Sequence, residues 1–289
     1  MNRKKICIIC VQCLLLSIAS FLSGCTNQWE EFDSILFSWK KDVFEDKREN
    51  LFKTMDRQGL SVLYQAFPSE PDMDILQIFL EDAGNHGIGV YYLSGDPQWS
   101  LDESGQNQIR KIEAAAEINK CLTREAALKG IVFDIEPYLL DEWKDNKTEI
   151  MDSFVSGMKA AYTEAGKHGL KVILCIPYYY DSSGLEKQLE TMISSCCDGV
   201  AVMNYYRGKE IEHISTEAEM AEKYGKELVN IYEMQPPGEH GLVEMNTYFN
   251  EGIEKMKENF RELRNKYRKQ PVSMALHDYE ALREAMEIE

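Results

Sequence analysis

Positive charge is scarce in this chain. Lys and Arg number 32 against 49 Asp and Glu, a net charge of −17, so the surface would repel a phosphate backbone and nucleic acid is excluded as a partner. Three of those cations, Arg3, Lys4 and Lys5, precede residue 25, where there is no acid, and the remainder is more acidic still. There is no glycine-rich phosphate loop. Metal-ligand spacing is lacking too: neither the five histidines, at 86, 168, 213, 240 and 277, nor the cysteines follow a zinc pattern, so no metal and no cofactor is expected. No stretch rich in Pro, Gly or Ser divides the chain. Only one apolar run, at 6–22, approaches the length of a membrane span. What is present, 44% hydrophobic and 28% charged residues, is the composition of a globular domain.

The run 6–22 follows Met-Asn-Arg-Lys-Lys and holds only Gln12, Ser17 and Ser20 as clearly polar residues. A basic start and an apolar middle make a secretory signal. It ends at Leu22-Ser23-Gly24-Cys25, a tetrapeptide that resembles the bacterial lipobox, and the resemblance implies cleavage before Cys25 and acylation of that cysteine. The expected layout is a signal peptide over 1–24, a lipidated cysteine and tether over 25–31, and one folded domain over 32–289. The protein would then sit in the bacterial cell envelope as a membrane-anchored lipoprotein facing outside the cytoplasm, and it is read as a monomer. An uncleaved short anchor is the alternative. Four of the eight cysteines, Cys7, Cys10, Cys13 and Cys25, belong to this leader. The others are Cys121, Cys175, Cys196 and Cys197; a bridge such as Cys175 to Cys196 stays open in an exported protein.

From residue 32 onward, short apolar or β-branched runs alternate with longer amphipathic stretches, as parallel strands joined by helices do. Candidate strands are 34–39, 61–67, 87–93, 130–136, 171–178, 199–205, 228–234 and 272–277. Helical spacing of apolar residues marks 73–85, 109–127, 147–167 and 243–268. Glycines at 59, 87, 130, 169 and 199 fall just before strands. Eight βα units in a chain of this size predict an α/β fold, a single (β/α)8 TIM barrel, whose chemistry stands at the C-terminal ends of its strands. The acidic runs at 30–31 and 284–289 read as solvated ends.

At the fourth strand the sequence is Lys129-Gly130-Ile131-Val132-Phe133-Asp134-Ile135-Glu136-Pro137-Tyr138. Asp134 and Glu136, two apart, share the inward face of a strand. Paired carboxylates there raise each other's pKa, which suits an acid that must hold a proton near neutral pH while its neighbour is ionised. Aromatic residues crowd the same ends: Phe67, Tyr91, Tyr92, Tyr138, Tyr178, Tyr179, Tyr180, Tyr205, Tyr206 and Tyr232, with Trp99 and Trp143 in loops beyond. Flat rings stack on the apolar faces of pyranose sugars. Three tyrosines in a row cannot all face one core, so at least one meets solvent or ligand. Trp39 and His277 end the first and last strands, and His240 with His277 are the histidines placed to line a cleft.

The fourth strand resembles that of the family 18 glycoside hydrolases, chitinase-like barrels with the pattern D-G-x-D-x-D-x-E. Gly130, Asp134 and Glu136 match it, whereas Lys129 and Val132 stand where the family has its first two aspartates. Met203-Asn204-Tyr205 matches the family's M-x-Y on the sixth strand, with Tyr206 where an acid often follows. The resemblance implies a glycosidase for glycans containing N-acetylhexosamine, of chitinase or endo-β-N-acetylglucosaminidase type. It implies Glu136 as general acid and then base, Asp134 as orienting carboxylate and Tyr205 as partner of an intermediate that the substrate's own acetamide forms. Tyr138, Tyr178, Tyr179, Met203, Asn204, Tyr206, Glu233, Trp99, Trp39 and His277 are the candidate substrate-binding residues. Two alternatives stay open. Ile135-Glu136-Pro137 also resembles the N-E-P of clan A retaining glycosidases, which would make Glu233, ending strand seven, a nucleophile about 5 Å from Glu136. Val132, which cannot relay charge to Asp134, keeps open a carbohydrate-binding protein without turnover on the same barrel.

Overall fold

The computed structural model describes residues 33–288. The leader, Cys25 and the tether lie outside the described residues. Eight strands, β1 Ser34–Ser38, β2 Val62–Ala66, β3 Gly89–Ser94, β4 Gly130–Phe133, β5 Lys171–Pro177, β6 Gly199–Met203, β7 Glu227–Glu233 and β8 Val272–His277, pair in sequence order and close by β1 against β8. Every ladder is parallel. The chain is a single (β/α)8 barrel, as the alternation of runs predicts.

Ten helices are described, α1 Val43–Asp46, α2 Arg48–Gln58, α3 Met73–Asn85, α4 Gln106–Asn119, α5 Trp143–His168, α6 Glu186–Ser195, α7 Glu210–His213, α8 Ser215–Tyr224, α9 Gly252–Lys266 and α10 Tyr279–Ile288. The third illustrates the local logic. Asp72 accepts from the backbone N–H groups of Asp74 and Ile75, capping the helix start, and Leu76, Phe79, Leu80 and Ala83 form its buried stripe. Gly59 and Gly169 end α2 and α5 in the left-handed conformation that lets the chain turn into the next strand.

Inward residues alternate with helix-facing ones, so the barrel interior is built from side chains such as Ile35, Phe37, Val132, Ile173, Cys175 and Ala201. On three neighbouring strands, Phe37, Tyr64 and Tyr91 meet edge to face inside it at 5.1 and 5.4 Å.

Several boundaries differ from the sequence reading. Strand β4 stops at Phe133 rather than 136, because its ladder to β3 ends at Ser94 and Phe133 and Pro137, lacking an N–H, opens a 3-10 turn, Pro137–Leu139. Strand β6 likewise stops at Met203 rather than 205. The stretch 109–127 is helical only to Asn119, and 243–268 is helical only over Gly252–Lys266; before that come a short 3-10 turn, Glu244–Asn246, and a loop. The last helix, α10, was not legible as a helix. All four described cysteines are free, Cys121 exposed and Cys175, Cys196 and Cys197 buried, which removes the Cys175 to Cys196 bridge. Among the described residues no helix is long and apolar enough to cross a membrane.

Candidate active site

At the C-terminal ends of the strands lies a cavity of about 1130 Å³, lined among others by Trp39, Asp134, Glu136, Tyr138, Met203, Tyr205, Glu233 and His277. These eight sequence-derived candidates come from β1, β4, β6, β7 and β8 or the residues just beyond them. They converge because every strand is parallel and each ends at the same rim.

Asp134 and Glu136 leave β4 one after the other. Asp134 remains tied to the sheet by its N–H, which donates to Ser94 O at 3.0 Å. Its carboxyl oxygen Oδ1 is buried without a hydrogen-bond partner among the described residues. Burial first, and then the charge of Glu136, raise the Asp134 carboxyl to about 7, against the lowering pull of His277 and of the Cys175 thiol. Phe133 pairs with Leu174, so one step further along Asp134 stands beside Cys175 on the inner face. Glu136 is held differently: the Tyr138 hydroxyl donates to its Oε2 at 2.6 Å. Burial, followed by the Glu136 charge, keeps that phenol protonated far into the alkaline range.

Tyr205 faces the pair across the cavity. Burial and then the nearby carboxylates of Glu233, Asp134 and Glu136 hold its hydroxyl proton firmly, so it is a donor at any ordinary pH. Its backbone is fixed by Asn246, whose amide donates to Tyr205 O at 2.7 Å.

Glu233, 3% exposed, is held by several donors. Its Oε1 accepts from the N–H groups of Met234 at 2.9 Å and Gln235 at 2.8 Å. His277 Nδ1 lies 3.1 Å from Oε2 and 3.3 Å from Oε1. On the other side of the ring, Trp39 Nε1–H donates to His277 Nε2 at 3.2 Å. Burial resists charging of His277, while the hydrogen bond and the charge of Glu233 raise it. The indole works against that lift, because it can only donate and needs an unprotonated Nε2.

The other candidates stand outside the cavity wall. Tyr178 lies flat on His213, ring centroids 4.2 Å apart, and the exposed Tyr206 meets the same imidazole edge-on at 5.8 Å. Tyr179 packs edge-on behind Tyr138 at 5.9 Å. Tyr180 turns into the core at 1% exposure, so the tyrosine triplet does divide between interior and rim. Asn204 is buried, its amide donating to Glu210 O and Asn230 Oδ1. Trp99 sits in a 3-10 turn, Pro97–Leu101, and its carbonyl accepts from Gln108.

Sequence reasoning missed Lys40, Gln235, Asp278, Glu280, Arg283 and Glu284, all on the cavity wall. Glu284 is exposed, as a solvated end would be, yet it stands on α10 at the rim. Gly95 was also missed. A Cβ there would lie 1.8 Å from Asp134 O, so only glycine lets the chain leaving β3 pass against the backbone that carries the carboxyl pair. Its one signal was its place directly after the strand. Among the described residues no group of three or more His, Cys, Asp or Glu could hold a metal ion.

No family model matches the chain, and no curated protein matches it by sequence. Similar folds occur among solved structures. A chitinase from Chromobacterium violaceum ATCC 12472 superposes with a TM-score of 0.53 at 11% identity, over 89% of this chain and 98% of the other. A chitinase from Bacteroides thetaiotaomicron gives 0.52 at 13% identity, over 86% and 90%. The D-psicose 3-epimerase of Clostridium cellulolyticum H10 gives 0.51 at 12% identity, over 84% of both chains. The fold is therefore a chitinase-like TIM barrel, and sugar epimerases share its architecture.

Proposed function

We propose that this chain is a glycoside hydrolase that cleaves glycans containing N-acetylhexosamine with retention of configuration, by substrate assistance. The observation that carries the reading is the Asp134 and Glu136 pair in one cavity, with Asp134 raised to about 7. A proton kept on Asp134 into the neutral range, next to Glu136, is a source for general-acid catalysis. In this scheme the proton held by Asp134 passes to Glu136, which gives it to the glycosidic oxygen as the bond to C1 breaks, and Asp134 is left as a carboxylate. The acetamide oxygen of the same sugar attacks C1, with Asp134 accepting the acetamide N–H and the Tyr205 hydroxyl donating to the acetamide oxygen. Glu136, now a carboxylate, takes a proton from the water that opens the cyclic intermediate. The Tyr138 hydroxyl on Oε2 steadies that carboxylate between the two steps.

Glu233 as nucleophile has less support, since its oxygens are already engaged by two backbone N–H groups and an imidazole. A carbohydrate-binding protein without turnover is the second reading. Val132 favours it, because the interior next to Asp134 is apolar on that side. Soaking crystals with a chitobiose thiazoline, which mimics the cyclised intermediate, tests the scheme. The acetamide-derived ring should lie between Asp134 and Tyr205; a sugar bound elsewhere in the cavity overturns it.

Attachment to the cell envelope through Cys25 is proposed on the leader alone. Cys25→Ser should abolish incorporation of a labelled fatty acid and leave the leader uncleaved, and equal label in the two proteins would dismiss the anchor.

A further inference from the structure

We propose that Glu233 and His277 are positioning residues that set the plane of the Trp39 indole, the surface against which a sugar ring lies in the cavity. The proposal rests on the reading of this cavity as a glycan site.

The chain of hydrogen bonds has one direction throughout. Indole N–H only donates, so the 3.2 Å contact from Trp39 requires a lone pair on His277 Nε2. An uncharged ring with that lone pair carries its proton on Nδ1, where the Glu233 carboxylate accepts it at 3.1 Å. Glu233 is in turn fixed by the N–H groups of Met234 and Gln235. The three side chains leave successive neighbours in the barrel, for β7 pairs Glu233 with His277 and β8 pairs with β1. Both imidazole nitrogens are thereby occupied, which leaves His277 no free atom with which to exchange a proton with substrate. Its role is to fix the indole, and Trp39 both packs against the barrel core and lines the cavity. An indole fixed in this way is a rigid apolar platform for a pyranose face.

The groups facing His277 are Glu233 from β7, Asp134 beyond β4, Asp278 next in the chain, and the rings of Tyr205 and Phe37. Protonation of Nε2 would set two donors against each other at Trp39, so the emission of Trp39 should follow the titration of this histidine.

The substitution Glu233→Gln tests the relay with almost no change of volume. Its carbonyl oxygen would keep the backbone N–H groups, and its amide would then face Nδ1–H as donor to donor. The ring escapes by moving its proton to Nε2, which releases the indole. The expected result, with chitotetraose as the probe, is a KM raised about tenfold with kcat little changed. The sugar-induced change in Trp39 emission, obtained as the difference from Trp39→Phe, should disappear. A fall in kcat of two orders of magnitude at constant KM would make Glu233 a chemical participant and overturn the proposal. So would an unaltered KM together with an unaltered Trp39 signal. A measurement on the wild type guards against a variant that fails to fold: in nitrogen-15 histidine spectra the uncharged His277, identified by its loss in His277→Gln, should carry its proton on Nδ1. A proton on Nε2 refutes the relay. If chitotetraose is neither bound nor cut, the glycan reading fails, and the ring's protonation and the pH dependence of Trp39 emission still decide the relay.

Discussion

Two groups of acid line one cavity, one just past β4 and one at the end of β7, and they are treated in opposite ways. Glu233 is held by three donors, two backbone N–H groups on Oε1 and His277 beside Oε2. Asp134, beside Glu136, has an orphaned buried oxygen and a carboxyl raised to about 7. A buried carboxyl oxygen without a hydrogen-bond partner favours the protonated form, and Asp134 holds its proton at a pH where most carboxyls have lost theirs. The first arrangement fixes geometry and the second keeps chemistry available. Satisfaction of hydrogen bonds, more than the mere presence of acids, separates scaffold from reactive group in this site.

The largest effect should come from the partner-poor side. Glu136→Gln removes the group that protonates the leaving oxygen and should lower kcat/KM on an N-acetylhexosaminide with a poor leaving group by about 10²–10⁴. Asp134→Asn should be severely impaired as well, because the acetamide loses its orienting carboxylate. Initial rates with such a glycoside check both. If Glu136→Gln leaves hydrolysis intact, the contrast between the two groups is wrong. If the wild type binds glycan without cutting it and Glu136→Gln binds equally well, the carbohydrate-binding reading takes its place.

A third buried acid separates cost from use. Glu217 on α8 is 0% exposed, and neither of its oxygens has a partner among the described residues, yet it does not line the cavity. Burial raises it from 4.5 to about 8. The native state therefore binds this proton more tightly than the unfolded chain does, so the contribution of Glu217 to stability is greatest below about pH 4.5, declines as pH rises to about 8 and is level above. Asp134, raised from 3.8 to about 7, adds a decline of the same sign at lower pH. Glu217→Gln should stabilise the protein by a few kcal/mol at pH 9 and by little at pH 4.5. Urea unfolding at the two values checks the difference; a gain equal at both would show that the charge of Glu217 is not what costs stability.

The barrel was legible because strands buried on both faces are continuous apolar runs, and eight such runs alternate with amphipathic stretches. The converging residues were legible for a related reason. Trp39, Asp134, Glu136, Tyr205, Glu233 and His277 each stand at or just past a strand end, where position in the strand fixes direction. Tyr178 and Tyr206 were read by the same rule and lie outside the cavity wall, because both rings pack on His213 instead. Arg283 and Glu284 were hidden because their place depends on how α10 folds back from β8. Gly95 was hidden because its contact is with the backbone of a neighbouring strand's exit, and no pattern within its own segment records it.

The smallest effect concerns the group that keeps Asp134 from being wholly without support. Cys175, 1% exposed, stands beside Asp134 on the inner face of β5, and its thiol hydrogen bond lowers the Asp134 carboxyl slightly against burial and the charge of Glu136. Burial, and then the charge of Asp134, hold the thiol itself protonated, so it acts only as a donor. Cys175→Ala deletes the donor and should raise the Asp134 carboxyl further, by less than about one unit. The corresponding limb of the kcat/KM profile should move upward in pH by that amount. Cys175→Ser, with a stronger donor of similar size, should move it down. Profiles of the three proteins over pH 5 to 9 read the shift directly. Coincident profiles would mean that the carboxyl answers to Glu136 and burial alone, and the partner-poor wall of the cavity would then be poorer still.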